Sequence, residues 1–463
     1  MKNSKGYQSP FSWRYGSLEM REIWGLHKTR LLWREIWICL AEIQSEYQLV
    51  SSSQVDELRS RAKDVDLDRS LEIEEEINHD LMAELQVFAE QCPSAGGILH
   101  LGATSMDIKD NALVLQIKEA LHLILGELKG LLEVISNLIE RWSGLPLMGF
   151  THLQPAEPTT LGYRFAQSAQ DLLIYYRLIS SFESEIKSKG FCGAVGTSAS
   201  FGALIGEHNL EEFQEKLAKK LGLSFFDVVS QTYPRIQDYQ LLTHLAGLGA
   251  ILYKMAFDLR ILQSPPFAEL AEPFRETQIG SSAMPFKQNP IRAEKINSLG
   301  RYLAQLPRTA WDNAAHSLLE RTLDDSANRR VILPESFLIT DEMLRVSREI
   351  LSGLQVFESG IKQNLIDFGP FAGTEKLLMV LSKTGGDRQQ MHQMLRKHAL
   401  KAWSAVRQGL PNPLKDLISA DPDFLEYASK EEILQALEAE AYLGDAEKRA
   451  RQLAADINKE ISG

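Results

Sequence analysis

Between Asn111 and Arg141 the chain contains no proline, and Leu113, Ile117, Leu121, Ile124, Leu128, Leu131, Ile135, Leu138 and Trp142 recur at steps of three or four. That spacing is the period of one face of an α-helix. About 30 residues at a rise of roughly 1.5 Å each would make a helix of about 45 Å. Helices of that length suit a bundle. A second helical run starts after Pro158, with Thr159 and Thr160 at its head, and continues through Leu172, Tyr176 and Ile179 to about Lys187. Pro158 fits the first turn of such a helix. A third run covers Ile236 to Leu262, and a fourth about Pro334 to Leu351. Strand-like alternation is sparse. The chain therefore reads as all-α, a central bundle of long helices.

At 463 residues the chain exceeds one simple core, and two or three domains are the expectation. The spacing of breaks places a helical N-terminal domain over residues 1–110, the long-helix domain over 111–356 and a C-terminal helical domain over 357–463. Apolar runs shorten in the last part, with breaks at Gly369-Pro370, Gly385-Gly386 and Pro411–Pro413. The net charge of -12 argues against nucleic-acid binding, which needs a basic face. Cys39, Cys92 and Cys192 are too few and too scattered for a disulfide framework or a zinc site, which fits a reducing cytoplasm. Lys2 and Lys5 precede no apolar run, so no signal peptide is expected, and no stretch reads as a membrane span.

The polar chemistry is concentrated in segments that read as irregular: Cys92–Asp110, Met148–Thr160, Gly190–Gly206, Val229–Arg235, Pro265–Pro290 and Leu319–Ser326. The densest is Gly280-Ser281-Ser282-Ala283-Met284-Pro285-Phe286-Lys287-Gln288-Asn289-Pro290. A glycine and two prolines keep it from being a helix interior, and two hydroxyls, a lysine and an amide suit a functional loop. Ser281 and Ser282 could also merely shape a turn. His152, in Phe150-Thr151-His152-Leu153-Gln154-Pro155-Ala156, is placed just before a helix opened by Pro158; alone, such a histidine is a capping or packing residue. Thr104 and Ser105, after Gly102, could cap the long helix or offer its N-terminus to a carboxylate. Glu320 to Arg330 is dense in charge, which for an isolated run means a solvated helix start. Arg14-Tyr15 alone would be surface decoration, and Gln231-Thr232-Tyr233 a turn ahead of Pro234.

Taken together these segments resemble the fumarase/aspartase superfamily. The 280–290 loop matches all seven fixed positions of its G-S-S-x-M-P-x-K-x-N pattern, and Thr151-His152-Leu153-Gln154-Pro155-Ala156 matches T-H-x-Q-P-A. The adenylosuccinate lyase branch is the best fit. His79-Asp80 with Met82-Ala83 resembles its H-D-x-M-A piece, His100 to Ser105 its H-x-G-x-T-S segment, and Arg321, Ser326 and Arg330 its E-R-x-x-x-x-S-x-x-x-R arrangement. Arg14-Tyr15, Gln231-Thr232 and Gly385 to Gln389 extend the match over most of the chain. Two positions depart from the branch: Phe286 stands where His or Tyr is common, and Gln288 where Arg is common.

The resemblance implies a fumarase/aspartase-like fold and β-elimination of fumarate from succinyl-purine nucleotides, in a cytoplasmic homotetramer whose active sites are shared between chains. It implies Ser281 as base, Lys287 and Asn289 as stabilisers of the aci-carboxylate, His152 as acid and Glu294 as its carboxylate partner. Thr104 and Ser105 would hold the succinyl carboxylates, with Thr151 and Gln231 also on the substrate. Arg14, Tyr15, Arg321, Ser326 and Arg330 would hold phosphate, and His79 phosphate or purine. No metal or organic cofactor is implied. Two alternatives stay open: another fumarate-releasing lyase, for which the three arginines would be superfluous, and a non-catalytic structural protein on the same fold.

Overall fold

The computed structural model describes residues 6–275 and 277–462; Lys2 and Lys5 lie outside them. The long periodic run forms the helix Ser105–Trp142, 38 residues in all. Ile117, Leu121, Ile124, Leu128, Leu131 and Ile135 on its stripe are buried, as their spacing requires. Thr104 N–H donates to the Asp107 carboxylate at 2.8 Å just ahead of the first turn, a side-chain satisfaction of a backbone donor at the helix start. Ile236–Leu262 is a helix over the expected bounds. The fold is all-α and fumarase-like, with only three two-stranded sheets among the described residues.

Three expectations are corrected. Residues 148–160 are not irregular, and Pro158 does not open a helix: Pro146–Thr151 and Gln154–Thr160 form an antiparallel hairpin, and the next helix is Leu161–Glu185. Pro158 pairs with Met148 there, at a strand position that needs no backbone N–H. Pro334 does not start the fourth helix, which is Asp324–Ser352 with Pro334 inside. Gly369-Pro370 likewise breaks nothing, because the helix Glu358–Lys383 runs through it. In both helices the surrounding turns and burial outweigh the one hydrogen bond that proline removes.

The chain divides into two compact units, with borders that fall inside helices. One comprises Met1–Glu127, Tyr175–Ala250 and Leu299–Leu344; the other Leu128–Ile174, Ile251–Ser298 and Arg345–Gly463. The core of the first gathers Leu32, Ile36, Trp37 and Leu40 from the helix Leu26–Glu46 around Phe88, Ile108, Phe191, Phe201 and Phe213. In the second, Leu377, Leu381, Met391, Leu395, Phe424 and Ile433 close a separate cluster near the C-terminus. Fully burying each such side chain contributes roughly 1.5–3 kcal/mol.

Candidate active site

In the first unit, the segment before the long helix turns sharply. His100 (φ 65°) and Gly102 (φ 78°) are both left-handed. A side chain at Gly102 would meet Phe201 and Leu204 at 2.9–3.0 Å, so only glycine lets the turn press on the core. It delivers Thr104 and Ser105 to the positive end of the helix dipole. His79 caps the neighbouring helix Asp80–Gln91: its Nδ1 accepts the Met82 N–H at 3.3 Å. With Nδ1 accepting, the neutral ring carries its proton on Nε2, which then donates to Ser105 Oγ at 3.4 Å.

Asp80, beside His79, binds two cations. Lys109 Nζ donates to its carboxylate at 2.7 and 2.9 Å, and Arg330 Nη2 at 2.8 Å. Burial pushes the Asp80 carboxyl up, but Lys109 and Arg330 outweigh it and hold it below the ordinary range. His79, Ser105 and Arg330 are thus brought to one locus through Asp80.

Arg321 is not a solvated helix-start residue. Its Nη1 donates to Asp325 at 2.8 Å, and Asp325 is buried in a network with Arg235 (2.8 Å), which also donates to Asp110 at 3.1 and 3.2 Å. Arg329 donates to Asp238 at 2.7 Å and to the Tyr233 hydroxyl at 2.8 Å. Gln231 N–H donates to the Glu320 carbonyl at 3.2 Å, so the Gln231 and Arg321 segments are stitched side by side. Nearer the N-terminus, Gly16 N–H donates to Glu342 and Ser17 N–H to Asp341. Both carboxylates lie on the helix that carries Ser326 and Arg330. Arg14 stays exposed, stacked against Trp13 and Tyr15 with no carboxylate partner among the described residues. Sequence reasoning missed Asp80, Arg235, Asp325 and Arg329 as supports; Arg329 and Asp325 sit in the very segment singled out, but Arg235, Asp238 and Tyr233, which they engage, are remote in sequence.

In the second unit, Thr151 pairs with Gln154, leaving His152 and Leu153 as the two residues of the hairpin turn, at φ 55° and 58°. Two positive φ values in a two-residue loop are the signature of a type I′ turn, which normally takes Asn-Gly. Holding two residues with side chains there costs about 1–3 kcal/mol each, and the turn projects His152 into solvent. The hairpin stem is fixed by Phe150 against Phe267, ring centroids 4.9 Å apart.

The 280–290 loop folds on itself. Ser281 Oγ accepts the N–H groups of Met284 at 3.1 Å and Ala283 at 3.3 Å. Asn289 Nδ2 donates to the Gly280 carbonyl at 2.8 Å, and a side chain at Gly280 would collide with the Lys287 carbonyl. Lys287 and Phe286 are exposed. The loop's ends are tied by Glu272, which accepts the Arg292 and Ala293 N–H groups at 3.1 and 3.0 Å at the start of the helix Ile291–Leu303. Burial raises its carboxyl above the ordinary range. Glu294 faces Arg260 at 3.7 Å, and His152 and Glu294 make no hydrogen bond to each other within the chain. Among the described residues no group of three or more metal-ligating side chains is assembled, and no helix is long and apolar enough to cross a membrane.

The second unit thus presents a serine hydroxyl that accepts two backbone N–H groups, an exposed lysine and an exposed imidazole, and the first unit the arginines and the hydroxyls at the head of the long helix. Comparison with known proteins agrees. Residues 33–302 match a family model described as Lyase, and residues 370–453 one described as Adenylosuccinate lyase C-terminus. The adenylosuccinate lyase of Schistosoma mansoni is 38% identical over 91% of this chain and 89% of its own length. That of Saccharomyces cerevisiae is 34% identical over 100% and 97%, and that of Pyrococcus abyssi 35% over 94% and 95%. Among solved structures, a fumarate lyase from Mesorhizobium sp. BNC1 superposes with a TM-score of 0.85 at 23% identity, covering 97% of this chain and 99% of its own. The 3-carboxy-cis,cis-muconate lactonizing enzyme of Pseudomonas putida gives 0.87 at 23%, covering 99% and 100%; at such identities the likeness speaks for the fold. With its motifs, fold and full-length relatives in agreement, the chain belongs to the adenylosuccinate lyase family, C–N lyases of the fumarase/aspartase superfamily.

Proposed function

We propose that this chain splits adenylosuccinate into AMP and fumarate, and the related succinylaminoimidazole carboxamide ribotide into its amide and fumarate. The observation that carries the assignment of the base is the pair of N–H groups on Ser281 Oγ. A serine is a poor base in water, and donors aimed at its oxygen favour the alkoxide. Ser281 takes the proton from the carbon beside a succinyl carboxylate. The electron pair delocalises into that carboxylate as an aci-carboxylate, which Lys287 and Asn289 stabilise. Collapse forms the fumarate double bond and breaks the C–N bond, and His152 protonates the leaving nitrogen.

Asn289 now holds the Gly280 carbonyl, so its role on substrate requires the loop to rearrange on binding. Thr104, Ser105 and Thr151 take the succinyl carboxylates, Gln231 and His79 contact the substrate, and Arg14, Tyr15, Arg321, Ser326 and Arg330 take the phosphate, where arginine forks fit anionic oxygens. Glu294 serves as the partner of His152. Its pairing with Arg260 within one chain accords with a homotetramer in which the two come from different chains. A cytosolic location and the three-part division at 110/111 and 356/357 belong to the same proposal. Fumarate release from adenylosuccinate by the wild type, abolished in Ser281→Ala with the fold intact, is the test; full activity in that variant overturns the assignment of the base.

A further inference from the structure

Trp37 lies at the centre of the first unit's core, 1% exposed. Its indole Nε1–H donates to His100 Nδ1 at 3.1 Å, with ring planes at 82°. Seven residues on, Gln44 Nε2 donates to the Leu101 carbonyl at 2.8 Å. Seven residues are two helical turns, so both side chains leave one face of the helix Leu26–Glu46. Together they clamp the left-handed turn at His100 by its ring and by its backbone.

An indole N–H can only donate. His100 Nδ1 is therefore the unprotonated nitrogen, and the proton of the neutral ring sits on Nε2. His79 is set the same way by a different donor, the Met82 N–H. Both imidazoles thus accept at Nδ1 and keep Nε2–H as the donor. That of His79 reaches Ser105; that of His100 has no hydrogen-bond partner among the described residues. Burial, then the neighbouring His79, pushes His100 down to about 4. Of the charged side chains on these elements, Asp80 is paired with Lys109, and Asp107 accepts the Thr104 N–H and pairs with Lys189.

We propose that Trp37, which touches no substrate, is a positioning residue: it fixes His100 as a neutral Nε2–H donor for a substrate carboxylate at the head of the helix Ser105–Trp142. This inference rests on the proposal that Thr104 and Ser105 hold the succinyl carboxylates. The consequence is specific. An imidazolium there would attract the product dianion fumarate as strongly as the substrate, which is uniform binding and gains nothing in turnover. A locked neutral donor orients the carboxylate without that extra attraction, and its hydrogen-bonding role stays constant across the physiological pH range.

Two measurements on the full-length protein test this. In the first, solid-state ¹⁵N NMR of sedimented, histidine-labelled protein reports the protonation of each ring, with His100 assigned by difference from His100→Gln. The expected result is a neutral His100 protonated on Nε2, unchanged from neutral pH to about pH 5. A ring protonated on Nδ1, or an imidazolium at neutral pH, overturns the proposal, and this arm needs no change at Trp37.

In the second, Trp37→Phe keeps a ring and removes the N–H. The His100 signals should begin to titrate at a higher pH than in the wild type, because the donor that holds Nδ1 unprotonated is gone while the burial remains. The kcat/KM for adenylosuccinate cleavage should fall about tenfold at neutral pH, the scale of one lost hydrogen bond. KM should become more pH-dependent than in the wild type toward the acid range, where an unlocked His100 gains its proton. Released titration with unchanged KM, kcat and pH profile overturns the positioning role, leaving the elimination reaction standing. Absence of fumarate release from the wild type strikes the functional proposal instead, and the NMR result stands independently of it.

Discussion

Arg330 reaches Asp80 across 250 residues of sequence, donating from Nη2 to Oδ2 at 2.8 Å, while Lys109 donates to both oxygens of the same carboxylate. One acidic side chain therefore holds a cation of the proposed phosphate site at a fixed distance from His79 and Ser105. The carboxylate is mostly buried, and its charge offsets two cations that would otherwise repel each other.

Asp80→Asn should release Arg330 and leave Lys109 buried without a counter-charge. Removing one partner of a buried pair costs about 3–5 kcal/mol; Asp80 retains some exposure, so about 2–3 kcal/mol is expected in urea unfolding. KM for the nucleotide should rise with it. The pH dependence has a definite sign. A carboxyl held below its unfolded value contributes stability that is present above the unfolded pKa and lost as pH falls through the folded one. The difference in stability between wild type and Asp80→Asn should therefore be constant near neutrality and shrink in the acid range below about pH 4.

The second network makes a separate prediction. Arg329 is buried against Asp238, Tyr233 and, at 3.8 Å, Asp110 and Asp325. Arg329→Met should destabilise the protein by about 3–5 kcal/mol, because uncompensated carboxylates stay buried. Arg14→Met, on an exposed side chain with no carboxylate partner, should leave unfolding within about 0.5 kcal/mol and raise KM. Denaturant unfolding and steady-state kinetics on the pair separate support from contact.

The hairpin turn offers a contrast between stability and chemistry. Leu153, 60% exposed at φ 58°, contributes little packing, and Leu153→Gly should raise stability by about 1 kcal/mol through relief of the left-handed strain. His152→Gly should gain a similar amount and lose turnover by about 10²–10⁴-fold, the range for a general acid. Calorimetry with fumarate-release assays measures both; a His152→Gly variant of undiminished turnover would remove the histidine from the mechanism.

Much of this architecture was legible because it is local. The stripe from Ile117 to Ile135 states its helix by spacing alone, and Ile236–Leu262 needed nothing beyond its own periodicity. The 280–290 loop and the His152 segment were legible as motifs. The hairpin around His152 was not: its turn carries no glycine or asparagine, and Pro155 and Pro158 argue against strands. Its conformation is imposed by tertiary contacts such as Phe150 on Phe267. Pro334 looked like a helix start because proline favours that position, yet packing carries the helix through it. The supports of the site were illegible for a different reason. Trp37 and His100, Asp80 and Arg330, Arg235 and Asp325 are pairs separated by tens to hundreds of residues, and no local pattern announces them.

Ser281, on a loop whose own N–H groups prepare its oxygen, is the residue proposed to remove the proton that starts fumarate elimination. The most direct measurement is fumarate release from adenylosuccinate by wild type and Ser281→Ala at equal folded concentration. Steady release by the wild type and a kcat at least about 10²-fold lower in the variant are expected, with unfolding changed by no more than about 1 kcal/mol, the scale of the Ser281 turn hydrogen bonds that are lost. Comparable turnover by both proteins would contradict it.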